Sequence, residues 1–145
     1  KVFLLAGHED GQRPFAAMTR PMQTRDAVIA DSHAWIIQNY VSTNPVAAMV
    51  DRSGLKPRTF GRRFRSSTGY RPIEYVHAVR IEEARRIIET ESCALDDVGF
   101  QVGYEDPTFF RRLFKRTTGL RPAAYRRKMA GILPAPNDQI AIAGG

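Results

Sequence analysis

The segment PRTFGRRFRSSTGYRPIEY, Pro57–Tyr75, returns fifty residues later as PTFFRRLFKRTTGLRPAAY, Pro107–Tyr125. Nine of the nineteen positions are identical, among them Phe60/Phe110, Arg62/Arg112, Phe64/Phe114, Thr68/Thr118, Gly69/Gly119, Pro72/Pro122 and Tyr75/Tyr125. The match runs further toward the N-terminus once the shift drops to 49, pairing Val46 with Leu95, Met49 with Val98, Gly54 with Gly103 and Leu55 with Tyr104. One extra residue therefore sits in the turn of the second copy. The chain contains an internal duplication of a unit of about thirty residues, too few copies for a solenoid.

Each copy reads as two short helices around a turn. In the first, Asn44-Pro45 supplies an N-cap and a proline at the first helical position, and Val46, Met49 and Val50 follow at helical spacing. Gly54 provides the turn, and Pro57 opens a second helix whose inner face carries Phe60 and Phe64. Gly69 ends that helix and Pro72 prevents its continuation. The second copy repeats the plan with Leu95, Val98 and Gly103, then Asp106-Pro107, then Phe110, Leu113 and Phe114 facing inward, closed by Gly119 and Pro122. A helix, a glycine turn and a second, basic helix make a helix-turn-helix.

Between the copies, Pro72–Glu91 is predicted as one long helix with an apolar stripe of Ile73, Val76, Ile81, Ala84, Ile87 and Ile88. Twenty residues at about 1.5 Å each span about 30 Å, near the ~34 Å between successive major-groove faces of B-DNA. Ahead of both copies, Asp26–Tyr40 is amphipathic through Val28, Ile29, Trp35 and Ile36. No segment alternates with period two, so the fold is expected to be all-α. It divides into a linker with the remnant of a preceding domain (1–25), a first helix-turn-helix subdomain (26–71), the linker helix (72–91), a second subdomain (92–130) and a flexible tail (131–145).

Charge points to an anionic partner. Lysine and arginine total 22 against 15 acidic side chains, for a net charge of +7 and a pI near 10.1. Arg52–Ile73 holds seven basic residues and Pro107–Lys128 eight, and neither window has an acidic one. The rest of the chain has seven basic against fifteen acidic residues. One such run reads as a solvated helix face; two matched runs read as two binding faces.

Other functions find little support. Cys93 is the only cysteine, so no internal disulfide is possible, and its neighbours suggest a small half-buried residue. His8, His33 and His77 have no metal-ligand spacing, and His77 is placed as a surface pair with Glu74. No phosphate-cradling loop or nucleophile elbow occurs, and Asp96-Asp97 suits a helix start. No apolar run approaches a membrane span. We therefore expect no catalytic residues, cofactor, metal or membrane, in a segment of a longer cytoplasmic protein.

On the helix from Pro57, Arg58, Gly61, Arg62 and Arg65 lie opposite the phenylalanines, with Thr59 beside them. On the helix from Pro107, Thr108, Arg111, Arg112 and Lys115 do the same. Arginine donates bidentately to guanine in the major groove, and Gly61 allows close backbone approach. Arg63, Arg71, Arg116, Arg121 and Arg126 are the candidates for phosphate contacts. A structural role stands beside the reading role for Arg62 and Arg112, as ion pairs with Asp51 or Glu105.

With these features in place, residues 26–128 resemble the DNA-binding domain of the AraC/XylS family. The run Gly103-Tyr104-Glu105-Asp106-Pro107-Thr108-Phe109-Phe110-Arg111-Arg112-Leu113-Phe114-Lys115, continuing through Gly119, Pro122 and Tyr125-Arg126, is similar to that family's signature, as is Arg80-Ile81-Glu82-Glu83-Ala84-Arg85. The resemblance implies seven helices, two helix-turn-helix subdomains and two recognition helices (57–68 and 107–118) in adjacent major grooves of operator DNA. Lys56 departs from the serine cap frequent in the family, which suggests a less firm start to the first recognition helix. Gln12-Arg13-Pro14-Phe15-Ala16 resembles the linker of GlxA-like members, whose N-terminal domain is similar to PfpI-type amidotransferases; Lys1–Gly7 would be its last piece. That resemblance puts effector and dimer contacts outside this segment, with RNA polymerase a further candidate partner. Two rival readings remain: a basic helical module that binds nucleic acid without reading sequence, and a regulatory appendage acting through protein contacts.

Overall fold

The computed structural model describes residues 24–132, so the proposed linker motif at Gln12–Ala16, the Lys1–Gly7 remnant and almost all of the expected tail lie outside the described residues. The described residues form seven helices and no strand: α1 (Ala27–Asn39), α2 (Pro45–Ser53), α3 (Pro57–Thr68), α4 (Pro72–Thr90), α5 (Leu95–Gln101), α6 (Pro107–Thr118) and α7 (Pro122–Ile132). The all-α expectation holds, and the helix starts have local causes. Asp26 caps α1 by accepting from the Ile29 amide, Asn44 caps α2 by accepting from Ala47, and Asp106 caps α6 by accepting from Thr108. Lys56 gives α3 no side-chain cap, in line with the absent serine.

The two copies fold alike down to single hydrogen bonds. Gly69 and Gly119 end α3 and α6 at φ 85° and 91°, a left-handed backbone that side-chain-bearing residues resist. Beside each glycine, a threonine hydroxyl closes the helix end. Thr68 Oγ1 lies 2.9 Å from the Phe64 carbonyl and accepts from the Tyr70 amide at 3.0 Å. Thr118 Oγ1 lies 2.8 Å from the Phe114 carbonyl and accepts from Leu120 at 3.2 Å. The aromatic contacts are also matched: Phe64 meets Tyr75 edge-on at 5.7 Å between ring centres, and Phe114 meets Tyr125 at 5.4 Å.

Two hydrophobic clusters result, with α4 running through both. Ile29, Ile36, Met49, Phe60 and Phe64 pack with Tyr75, Val76, Ala78 and Val79. Val98, Val102, Tyr104, Phe110, Leu113, Phe114 and Tyr125 pack with Ile81, Ala84, Ile87 and Ile88. Phe60, Phe64, Phe110 and Phe114 are wholly buried, each worth about 1.5–3 kcal/mol of transfer from water.

A single apolar stripe does not describe α4. Eleven of its nineteen residues are buried, including Arg80, Glu82 and Glu83, because units pack on it from two sides. Ile73, expected in the stripe, is 42% exposed. It lies in the first turn, at the rim of an open cleft on the edge of the first cluster that Val46, Val50, Pro57 and Phe60 also line.

The second turn explains the added residue. In the first copy Gly54 itself caps α2, at φ 72°. In the second, buried Val102, the counterpart of Ser53, caps α5 before Gly103 turns at φ 110°. The extra residue comes after that glycine: Tyr104, Glu105 and Asp106 lead to Pro107 where only Leu55 and Lys56 lead to Pro57. Gly99 serves another purpose: a Cβ there would lie 2.8 Å from the Phe110 ring, so α5 approaches α6 only without a side chain.

Candidate nucleic-acid interface

The surface of α3 is set by its period of about 3.6 residues. With Phe60 and Phe64 fixed inward, Arg58, Arg62 and Arg65 emerge on the opposite face and are exposed. Gly61 flanks them, and a Cβ added there would meet nothing within 4 Å. Thr59 is half-buried at the edge of this face. On α6, Thr108, Arg112 and Lys115 are exposed and Arg111 is half-exposed, opposite Phe110, Leu113 and Phe114.

Arg62 and Arg112 make no ion pair among the described residues, with Asp51, Glu105 or any other carboxylate. Arg111 differs from them: it donates to Asp96 on α5 at 2.7 Å and to Thr108 Oγ1 at 3.3 Å. Both partners of the Arg111–Asp96 pair are largely exposed, which limits such a pair to about 0–1 kcal/mol and leaves the guanidinium easy to redirect.

The expected phosphate contacts divide. Arg116 and Arg121 are exposed. Arg71 folds back on Glu74 at 2.9 Å, where the Glu74 carboxylate also accepts from the Arg71 amide at the start of α4. Arg126 reaches the Glu91 carbonyl at 3.4 Å. Arg63 also has a partner within the fold. Three residues on from Phe60, it points along the flank of α3 toward α1 and grips Asp26 with two bonds of 2.8 Å. Those bonds hold the Asp26 carboxyl below its ordinary value. Arg63 therefore ties the cap of α1 to α3.

His77 also departs from expectation. It does not pair with Glu74. Its Nδ1 lies 2.6 Å from the Tyr104 hydroxyl, and its ring stacks on Tyr104 at 5.7 Å, joining α4 to the turn of the second copy. Burial, then the charges of Arg80 and Arg116, push its pKa down from 6.5 to about 4. The folded protein thus keeps His77 neutral, while the unfolded chain takes up a proton near 6.5. Stability from this group is full above pH 6.5 and is lost as pH falls toward 4. The melting temperature should fall across that window, and His77→Gln should melt with a flatter acid slope there. Asp26 and Glu74, also held below their ordinary 3.8 and 4.5, lose their share only at lower pH. Equal slopes for the two proteins between pH 6.5 and 4.5 would refute the assignment.

The chain matches a family described as a helix-turn-helix domain over residues 49–128. The DNA-binding domain of AdpA, a global transcriptional factor solved in complex with a target DNA, has a TM-score of 0.70 at 33% identity, covering 73% of this chain and 96% of that one. This chain belongs to the AraC family of DNA-binding domains. Among curated relatives of this AraC-family chain, the MmsAB operon regulatory protein of Pseudomonas aeruginosa is 27% identical over 112 residues, 77% of this chain and 36% of that protein. The transcriptional activator RhaS of Escherichia fergusonii is 27% identical over 105 residues, 72% of this chain and 38% of that protein. The chain thus spans little more than a third of the length of these AraC-family relatives.

Proposed function

We propose that this chain binds double-stranded DNA sequence-specifically as the reading part of a cytoplasmic transcription regulator. In this reading α3 and α6 enter adjacent major-groove segments. Arg58, Thr59, Gly61, Arg62 and Arg65 face one, and Thr108, Arg111, Arg112 and Lys115 the other. Arg116 and Arg121 bind phosphate, joined by Arg71 and Arg126 once DNA draws them off their present partners; Arg63 stays on Asp26. Effector binding and self-association belong to the parts that the longer relatives have beyond this span. The observation that carries the reading is the pair of matched helices, each with an uncommitted arginine, Arg62 or Arg112, at the centre of its outward face.

Salt titration separates this from weaker alternatives. Six to ten phosphate contacts should give log K against log salt a slope of about −5 to −9. Operator affinity should exceed that for random duplex by about 10³ or more. A steep slope without that ratio would mean a basic module that does not read sequence. A flat slope, with activity surviving neutralisation of both basic faces, would mean a partner other than nucleic acid.

A further inference from the structure

Arg80 sits on α4 at the seam between the two clusters: Val79 closes the first and Ile81 opens the second. The residue is only 6% exposed, and no carboxylate pairs with it among the described residues. Instead Nε donates to the Tyr40 carbonyl at 2.7 Å and a terminal nitrogen donates to the Ser42 carbonyl at 3.0 Å, both in the connection between α1 and α2. The same guanidinium lies over the Tyr104 ring, 4.9 Å from its centre, in the turn of the second copy. Gly103 leaves room for it, since a Cβ there would come within 2.8 Å of the guanidinium carbon.

One buried cation therefore touches both units at once, through groups that a flexible joint would not hold in place. The planar fork is suited to this, because it addresses two carbonyls in its plane while its face stays free for the ring. Lysine could offer a point charge but not both geometries.

We propose that Arg80 is the positioning residue that fixes the two recognition helices relative to each other, and so determines which spacing of the two DNA boxes the protein accepts. The spacing part rests on the two-headed DNA reading above; the rigidity part does not, and can be tested without DNA. Amide residual dipolar couplings from both units of the whole chain should fit one alignment tensor in the wild type. In Arg80→Met each unit should still fit a tensor of its own, but the two tensors should differ. On DNA, inserting or deleting one base pair between the boxes should weaken the wild type by about tenfold or more. For Arg80→Met that penalty should shrink to about threefold or less, with base preference inside each box unchanged, because base contacts and box spacing are read by different residues.

Arg80→Lys, which keeps the charge but loses the fork, should fall between the two and serves as the probe if Arg80→Met does not fold. A single shared tensor in a folded Arg80→Met overturns the proposal, as does an undiminished spacing penalty. Failure of both variants to fold also overturns it, since Arg80 would then hold the fold and not the joint. If the wild type binds no two-box site while the tensors behave as expected, the DNA reading fails and the joint stands.

Discussion

Replacing Arg62 and Arg112 together by alanine should nearly erase sequence discrimination while leaving the protein as stable as before. Each arginine that reads a base should cost about 1–3 kcal/mol on the specific site when removed. The two lie on separate helices in separate copies, so their effects should add, to about 2–6 kcal/mol. That is a loss of about 30-fold to 10⁴-fold on operator DNA, with a smaller loss on random duplex, where phosphate contacts persist. Because neither side chain pairs with a carboxylate among the described residues, the melting temperature should hardly move; surface changes of this kind stay within about 0.5 kcal/mol. Binding titrations on both DNAs and a thermal melt decide it. A lower melting temperature with intact base preference would make these arginines scaffold.

The second large effect should come from Ala84→Pro. Ala84 is wholly buried near the middle of α4, where the second cluster packs. Proline removes its amide donor and drives the ring toward the carbonyl four residues earlier, that of Arg80, for about 3 kcal/mol or more. The break would fall directly after the seam between the units. Affinity for a two-box site should drop toward that of one unit alone, while circular dichroism reports the helices of the first unit retained. Ala84→Gly, costing about 1 kcal/mol of helix propensity, should keep most of the binding. Unchanged affinity in a folded Ala84→Pro would mean that the two units do not act as a rigid pair.

Whatever repeats or has a short period was legible in the sequence. The duplicated run located α3 and α6, the Phe60/Phe64 and Phe110/Phe114 pairs gave their inner faces, and Asn44, Asp106, Gly69 and Gly119 marked helix ends. Partnerships between residues far apart in the chain were not legible. Arg63 and Asp26 are 37 positions apart, Arg80 and Tyr40 are 40, and His77 and Tyr104 are 27. Helix phase separates Arg63 from Arg62, but only the rotation of α3 against α1 gives Arg63 its partner. Arg80 left a faint sign, a cation between the apolar Val79 and Ile81 in a helix expected to bury one stripe. The apolar character of Ile73 was a true signal of helix phase, but phase does not say where a neighbouring unit stops.

Whether two reading heads act on one DNA site is tested most directly by selection from random duplex DNA. Bound sequences should converge on two boxes whose centres lie about 10–10.5 base pairs apart. Repeating the selection with Arg62→Ala should blur one box, and with Arg112→Ala the other. Enrichment of no motif, or of a single box that both substitutions blur alike, would contradict two-headed reading.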